Sequence, residues 1–226
     1  MGESTSDFLV HRFPPVVAVL AGGVVFSVAL LIQVRSSQLR TGVYWSTVVM
    51  VSVFGTMCAD VVHVGFGVPY VVSTVAFAGA LAAVFFAWQR REGTLSIHRV
   101  LTTQREIFYW MAVTVTFAFG TAVGDLVAYD LGLGYLRAGL VFTVVLSLIT
   151  LSYRVGHTPP VATFWAAYVV TRPLGASFAD WCGVSPARGG LNEGPGTVGL
   201  VLTGTIAVVV AHVVYRERRP KKPCAD

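Results

Sequence analysis

The sequence predicts an all-α, polytopic membrane helix bundle of seven transmembrane helices, built from parallel two-helix repeats of which the first is truncated. Three observations predict it. Charged residues make up 12% of the 226-residue chain and hydrophobic ones 55%, against about 25% charged in an ordinary soluble domain. Apolar runs of the roughly 20 residues needed to cross a hydrocarbon core recur along the whole length. Within three of those runs one spacing returns, tryptophan, nine residues, glycine, four residues, aspartate: Trp45, Gly55 and Asp60; Trp110, Gly120 and Asp125; Trp165, Gly175 and Asp180. A fixed spacing repeated in an apolar chain marks one supersecondary unit copied along the sequence.

The elements follow in order. The chain opens on a polar stub, Gly2-Glu3-Ser4-Thr5-Ser6-Asp7, in which the glycine-x4-aspartate ending of the motif stands once more. Residues 1–40 therefore read as a truncated first repeat, the motif end followed by a return span over 15–34. A complete layout would carry eight spans with both ends on one side, so the reading frame is expected to extend upstream. Residues 41–91 are the second repeat: a motif span over 43–63, the turn Gly65-Phe66-Gly67-Val68-Pro69 and a return span over 70–88. After a linker over 92–104, the third repeat (105–155) has spans over 107–129 and 136–153 around Leu131-Gly132-Leu133-Gly134. The fourth (156–216) has spans over 161–181 and 197–215, joined by a longer turn, and a basic tail fills 217–226. Glycine and proline in the turns suit tight helix connections. Each complete repeat holds two spans, so all copies point the same way about an axis along the membrane normal.

Valine, threonine and isoleucine are abundant, but long runs without period-two alternation favour helices. An outer-membrane barrel would need alternating segments of about 10 residues. The return helices, rich in alanine, valine and leucine, are expected to face lipid. Cys58, Cys182 and Cys224 form no CxxC pair and suggest neither a disulfide framework nor a zinc site.

The net charge of +5 is unevenly placed. With alternating spans, Arg35, Arg40, Arg90, Arg91, Arg99, Arg105, Arg154, Arg216, Arg218, Arg219, Lys221 and Lys222 fall on one side, and Arg12, Arg137 and Arg188 on the other. This asymmetry puts the carboxyl terminus in the cytoplasm of a multi-pass protein of the bacterial inner membrane. The basic tail reads as a topology anchor rather than a nucleic-acid site.

Depth follows from helix rise. At about 1.5 Å per residue, Gly55, Gly120 and Gly175 lie near the midplane, where small residues allow helices to cross closely. Asp60, Asp125 and Asp180 lie about 7.5 Å further out. Trp45, Trp110 and Trp165 stand near the inner interface, where aromatic belts form. A carboxylate at membrane depth needs a partner, water or a cation, and several brought together repel one another. The tier is therefore expected to hold protons or a cation, or else to bridge helices structurally. His63, three residues after Asp60, and Asp130, five after Asp125, are auxiliary candidates. A site of Asp60, His63, Asp125 and Asp180 would suit a hard or borderline divalent metal such as Mn²⁺. Arg172, beside Pro173 inside the fourth motif span, is expected to pair with a tier aspartate or a substrate anion.

The strings Gly2-Glu3-Ser4-Thr5-Ser6-Asp7, Phe108-Tyr109-Trp110 with Gly120-Thr121-Ala122-Val123-Gly124-Asp125, and Phe164-Trp165 with Thr171-Arg172-Pro173-Leu174-Gly175-Ala176 resemble a bacterial membrane family of tandem two-helix repeats of unknown function. The resemblance implies a membrane location and four repeats, each with a characteristic tryptophan, and it implies no activity. The residues themselves predict a transporter or channel, for protons or a divalent metal, whose partners are the lipid bilayer and a small cation. The alternative is a non-transporting structural or interaction protein. No serine–histidine, HExxH or paired-histidine pattern points to an enzyme, and no cofactor is expected; assembly as a homo-oligomer stays open.

Overall fold

In a computed structural model of the protein, residues 1–36, 41–97 and 102–218 are described. Arg40, Arg99, Arg219, Lys221, Lys222 and Cys224, which entered the charge and cysteine readings, lie outside the described residues. All regular structure among those described is helical: α1 (Gly2–Arg12), α2 (Pro15–Arg35), α3 (Thr41–Asp60), α4 (Tyr70–Glu92), α5 (Thr103–Asp125), α6 (Tyr135–Arg154), α7 (Pro160–Gly183) and α8 (Pro195–Arg218).

Local chemistry sets the ends. Proline, which lacks the N–H that a first turn leaves unpaired anyway, opens α2 and α7. The Thr102 side chain caps α5 by accepting from the Arg105 N–H. Gly93, at φ 69°, closes α4 in the left-handed conformation that a side chain would resist.

Six helices among the described residues are long and apolar enough to cross a membrane, rather than the seven expected. The exception is α7. It is long enough at 24 residues, but Arg172, Asp180 and its small and polar neighbours lower its apolarity. The stub is also more than an exit segment: α1 is an 11-residue helix whose first turn is buried.

Packing follows the pattern of burial. The apolar window of α3 is 44% buried and that of α5 50%, against 11% for α2, 17% for α4, 22% for α6 and 6% for α8. The motif helices are therefore inside and the return helices outside, presenting side chains such as Val16, Leu20, Val75, Val144, Leu148 and Val208 to the surroundings. Each return helix leans on the motif helix that follows it: α2 on α3, α4 on α5, α6 on α7, and α8 back on α1. The inner helices touch in a closed ring, α1 to α3, α3 to α5, α5 to α7 and α7 to α1. Within hydrocarbon, where apolar burial gives no net drive, such a ring depends on close packing and interhelical hydrogen bonds.

At the end of the ring where the tryptophans lie, Trp88, Trp110 and Trp165 form a buried cluster with Phe108 and Tyr109. Trp110 Nε1 donates to Glu106 Oε1 (3.4 Å) and Trp165 Nε1 to the Leu95 carbonyl (3.0 Å). At the opposite end, immediately after Asp60 and Asp125, the helices widen into π turns over Val61–Gly65 and Leu126–Asp130. Such turns recur at functional sites.

Candidate functional site

The motif glycines set the geometry. A Cβ built on Gly2 would stand 2.6 Å from the Ser52 carbonyl oxygen, one on Gly55 2.5 Å from Phe117 Cβ, and one on Gly120 2.3 Å from Arg172 Cβ. Ser52, Phe117 and Arg172 each stand three residues before the glycine of the next repeat. The same crossing is thus made at three corners of the ring, each needing a residue without a side chain. At the fourth corner a Cβ on Gly175 would meet nothing within 4 Å; the position equivalent to Ser52, Phe117 and Arg172, three residues before Gly2, would precede Met1.

Identical crossings bring equivalent positions to equivalent places. The residue after the glycine is Glu3, Thr56, Thr121 or Ala176, and these four line one cavity. Glu3 Oε2 accepts from Thr121 Oγ1 (2.9 Å) and Thr56 Oγ1 (3.3 Å), and its side chain is buried. Five residues after the glycine stand Asp7, Asp60, Asp125 and Asp180, and all four line a second cavity of about 560 Å³ at the aspartate end. Ser6 donates to Asp60 Oδ2 (3.1 Å), joining the neighbouring helices α1 and α3. Tyr70, Tyr129 and Tyr135 share that wall, with Tyr135 bonded to the Tyr129 hydroxyl and Arg188 Nη1 donating to Tyr129 (3.2 Å).

Glu3 lines both cavities. It therefore stands between the acidic cavity and a smaller one, about 240 Å³, at the tryptophan end, whose wall includes Trp45, Arg172 and Gly175. The motif tryptophans have separate roles: Trp110 and Trp165 are buried in the core, whereas Trp45 is 36% exposed and faces the small cavity.

The other expected site residues lie elsewhere. His63 is buried, with Nδ1 donating to the Val68 carbonyl (3.2 Å), Nε2 3.2 Å from Ser73 Oγ and its ring on Tyr70. It fastens the turn and does not line the acidic cavity. Asp130 is exposed at the end of its π turn and also lies off that wall. Among the described residues no three histidine, cysteine, aspartate or glutamate side chains form a group that would hold a metal ion. The divalent set of Asp60, His63, Asp125 and Asp180 is therefore not assembled. Arg172 pairs with no carboxylate among the described residues; its guanidinium carbon lies over the rings of Phe117 (4.0 Å) and Tyr168 (4.2 Å). Glu3 is not a member of the tryptophan-glycine-aspartate spacing, so that spacing alone does not point to it. The signal that does lies in the position after the motif glycine, which reads Glu3, Thr56, Thr121 and Ala176.

Three tandem matches to the Repeat of Unknown Function (DUF347) cover residues 43–94, 108–158 and 163–219. The chain belongs to this family. In the DUF347 chain each match spans a motif helix with the return helix that follows it in sequence, whereas in space the return helix packs on the next motif helix. No curated protein and no solved structure matches the chain.

Proposed function

We propose that this DUF347 protein is a transporter or channel of the bacterial inner membrane that moves protons or a small cation along the axis of its four-helix ring. One observation carries the reading: the aspartates of the four inner helices, Asp7, Asp60, Asp125 and Asp180, line one cavity. Carboxylates sharing a cavity in a low-dielectric surround repel one another, and protons or a cation between them relieve that repulsion. The lack of a tight three-ligand cluster among the described residues favours protons, or a cation that keeps part of its water, over a stripped divalent metal. Glu3, held by two threonine hydroxyls at the inner end of the cavity, is the barrier an ion must pass.

In this reading α7 is the seventh span. At about 1.5 Å per residue it is long enough to cross, and its polar side chains face the ring and the cavities rather than lipid. The twelve-to-three arginine and lysine asymmetry supports a cytoplasmic carboxyl terminus.

The test is flux. Purified protein in liposomes, given a panel of monovalent and divalent cations and a proton gradient, should pass at least one of them above the protein-free rate. Failure with every cation and with protons, by protein shown to be folded, would leave a structural role for the aspartates.

A further inference from the structure

We infer that the acidic cavity takes a linear aliphatic diamine, with one ammonium group on Asp125 and Asp180 and the other on Asp7 and Asp60; the inference rests on the reading of that cavity as a cation site. The four aspartates line one space, yet no three acidic, histidine or cysteine side chains among the described residues gather tightly enough to hold a single metal ion. Negative charge spread around a cavity is met best by positive charge at more than one point. The ring divides the carboxylates accordingly: Asp7 and Asp60 stand on the neighbouring helices α1 and α3, Asp125 and Asp180 on the neighbouring α5 and α7. Against them the wall carries two basic residues, Arg188 and His11, both exposed. Arg188 donates to the Tyr129 hydroxyl and His11 bonds the Asp7 carbonyl, and neither lies at ion-pair distance from an aspartate among the described residues.

Unmet hydrogen-bonding capacity supplies a second observation. Asp180 is 8% exposed, lies on the cavity wall and accepts no side-chain hydrogen bond among the described residues; Asp125 accepts none either. Asp60 and Glu3, by contrast, accept from Ser6 and from two threonines. Ser4, 2% exposed and on the same wall, has an Oγ without a partner. Buried acceptors left in this way carry a desolvation cost that N–H donors would remove. A primary ammonium brings three such donors, whereas a quaternary one brings none. Size and surface decide the rest. The volume of about 560 Å³ falls within the roughly 300–1,000 Å³ of pockets for small organic molecules. Tyr70 and Tyr129, stacked with centroids 6.1 Å apart, share the wall with Tyr135. Their rings offer apolar surface to a methylene chain and a negative face to its ammonium ends.

Thermal unfolding of the full chain in detergent, at neutral pH and fixed ionic strength, tests the site. Putrescine and cadaverine should stabilise saturably, as ligands of the folded state do. Their midpoints should lie at least about ten-fold below those of butylamine, tetramethylammonium and magnesium, because the second of two linked groups binds intramolecularly. Asp180→Asn should weaken the putrescine midpoint by at least about ten-fold. Asp60→Asn is the second variant: it should bring putrescine close to butylamine while the butylamine midpoint, set at Asp125 and Asp180, stays where it was. No diamine response in the parent, butylamine or magnesium equal to putrescine, or an unmoved putrescine midpoint in folded Asp60→Asn or Asp180→Asn protein each overturns the proposal. Flux of protons or metal ions without diamine stabilisation would sink the diamine site and leave the transport reading standing. Diamine stabilisation with no flux of any cation, putrescine included, would do the reverse.

Discussion

Gly120 and Gly175 occupy the same place in the repeat and face opposite circumstances, so they separate packing from sequence pattern. A methyl group at Gly120 would sit 2.3 Å from Arg172 Cβ and 3.2 Å from the Pro173 nitrogen, neither of which can move without moving α7. Gly120→Ala should therefore destabilise the protein by about 1–3 kcal/mol, as overpacking does. Gly175→Ala meets nothing and gains helix propensity, so it should be neutral or stabilising by up to about 1 kcal/mol. Thermal unfolding of the two variants in parallel checks the pair; equal destabilisation would contradict the crossing geometry. His63 makes a comparable division between structure and function. It bonds the Val68 carbonyl and stands beside Ser73, away from the acidic cavity. His63→Ala should cost about 1–3 kcal/mol through the buried groups left unpaired, while the cation midpoint stays where it was. A shifted midpoint would return His63 to the ion site.

At the level of the elements, the spacing of tryptophan, glycine and aspartate made the motif helices and their common depth readable, because period and hydropathy are local properties. The π turns after Asp60 and Asp125 were not readable in the same way, since no residue type in Val61–Gly65 or Leu126–Asp130 demands them. Nor was the partner of each return helix. α4 follows α3 in the repeat, yet in space it packs on α5. α7 fell short of the apolarity of a span for a reason visible in its residues: Arg172 and Asp180 face the two cavities. The acidic tier was legible as a pattern, whereas the inclusion of Glu3 and the departure of His63 and Asp130 depend on which way each helix is turned. That orientation predicts accessibility. With Cys58, Cys182 and Cys224 replaced, a cysteine at Ala179, on the acidic cavity wall, should react with a water-soluble thiol reagent. One at Val144, exposed on α6, should react only with a lipid-soluble reagent. The reverse pattern would mean the cavity is dry.

The whole molecule is a ring of four inner helices closed by α1 against α7, with a return helix laid outside each. Its axis passes from a small cavity walled by Arg172 and Trp45, past Glu3, into a larger one walled by four aspartates. That arrangement is what a repeat produces when successive copies make the same crossing, as three corners of the ring do, and it concentrates charge that a lipid-facing helix would exclude. The central claim is that this charge is an ion site. Asp125→Asn keeps the size and hydrogen-bonding capacity of the side chain and removes one of the four charges. Because replacement of a buried ionic group is often neutral or stabilising, the variant should insert and fold. Cation-dependent flux and thermal stabilisation should be measured on parent and variant together, in liposomes and in detergent. The account predicts that the variant loses at least ten-fold in affinity for whichever cation the parent moves, or loses proton flux if protons are the cargo. An Asp125→Asn protein with unchanged flux, and unchanged midpoints for every cation the parent recognises, would contradict it.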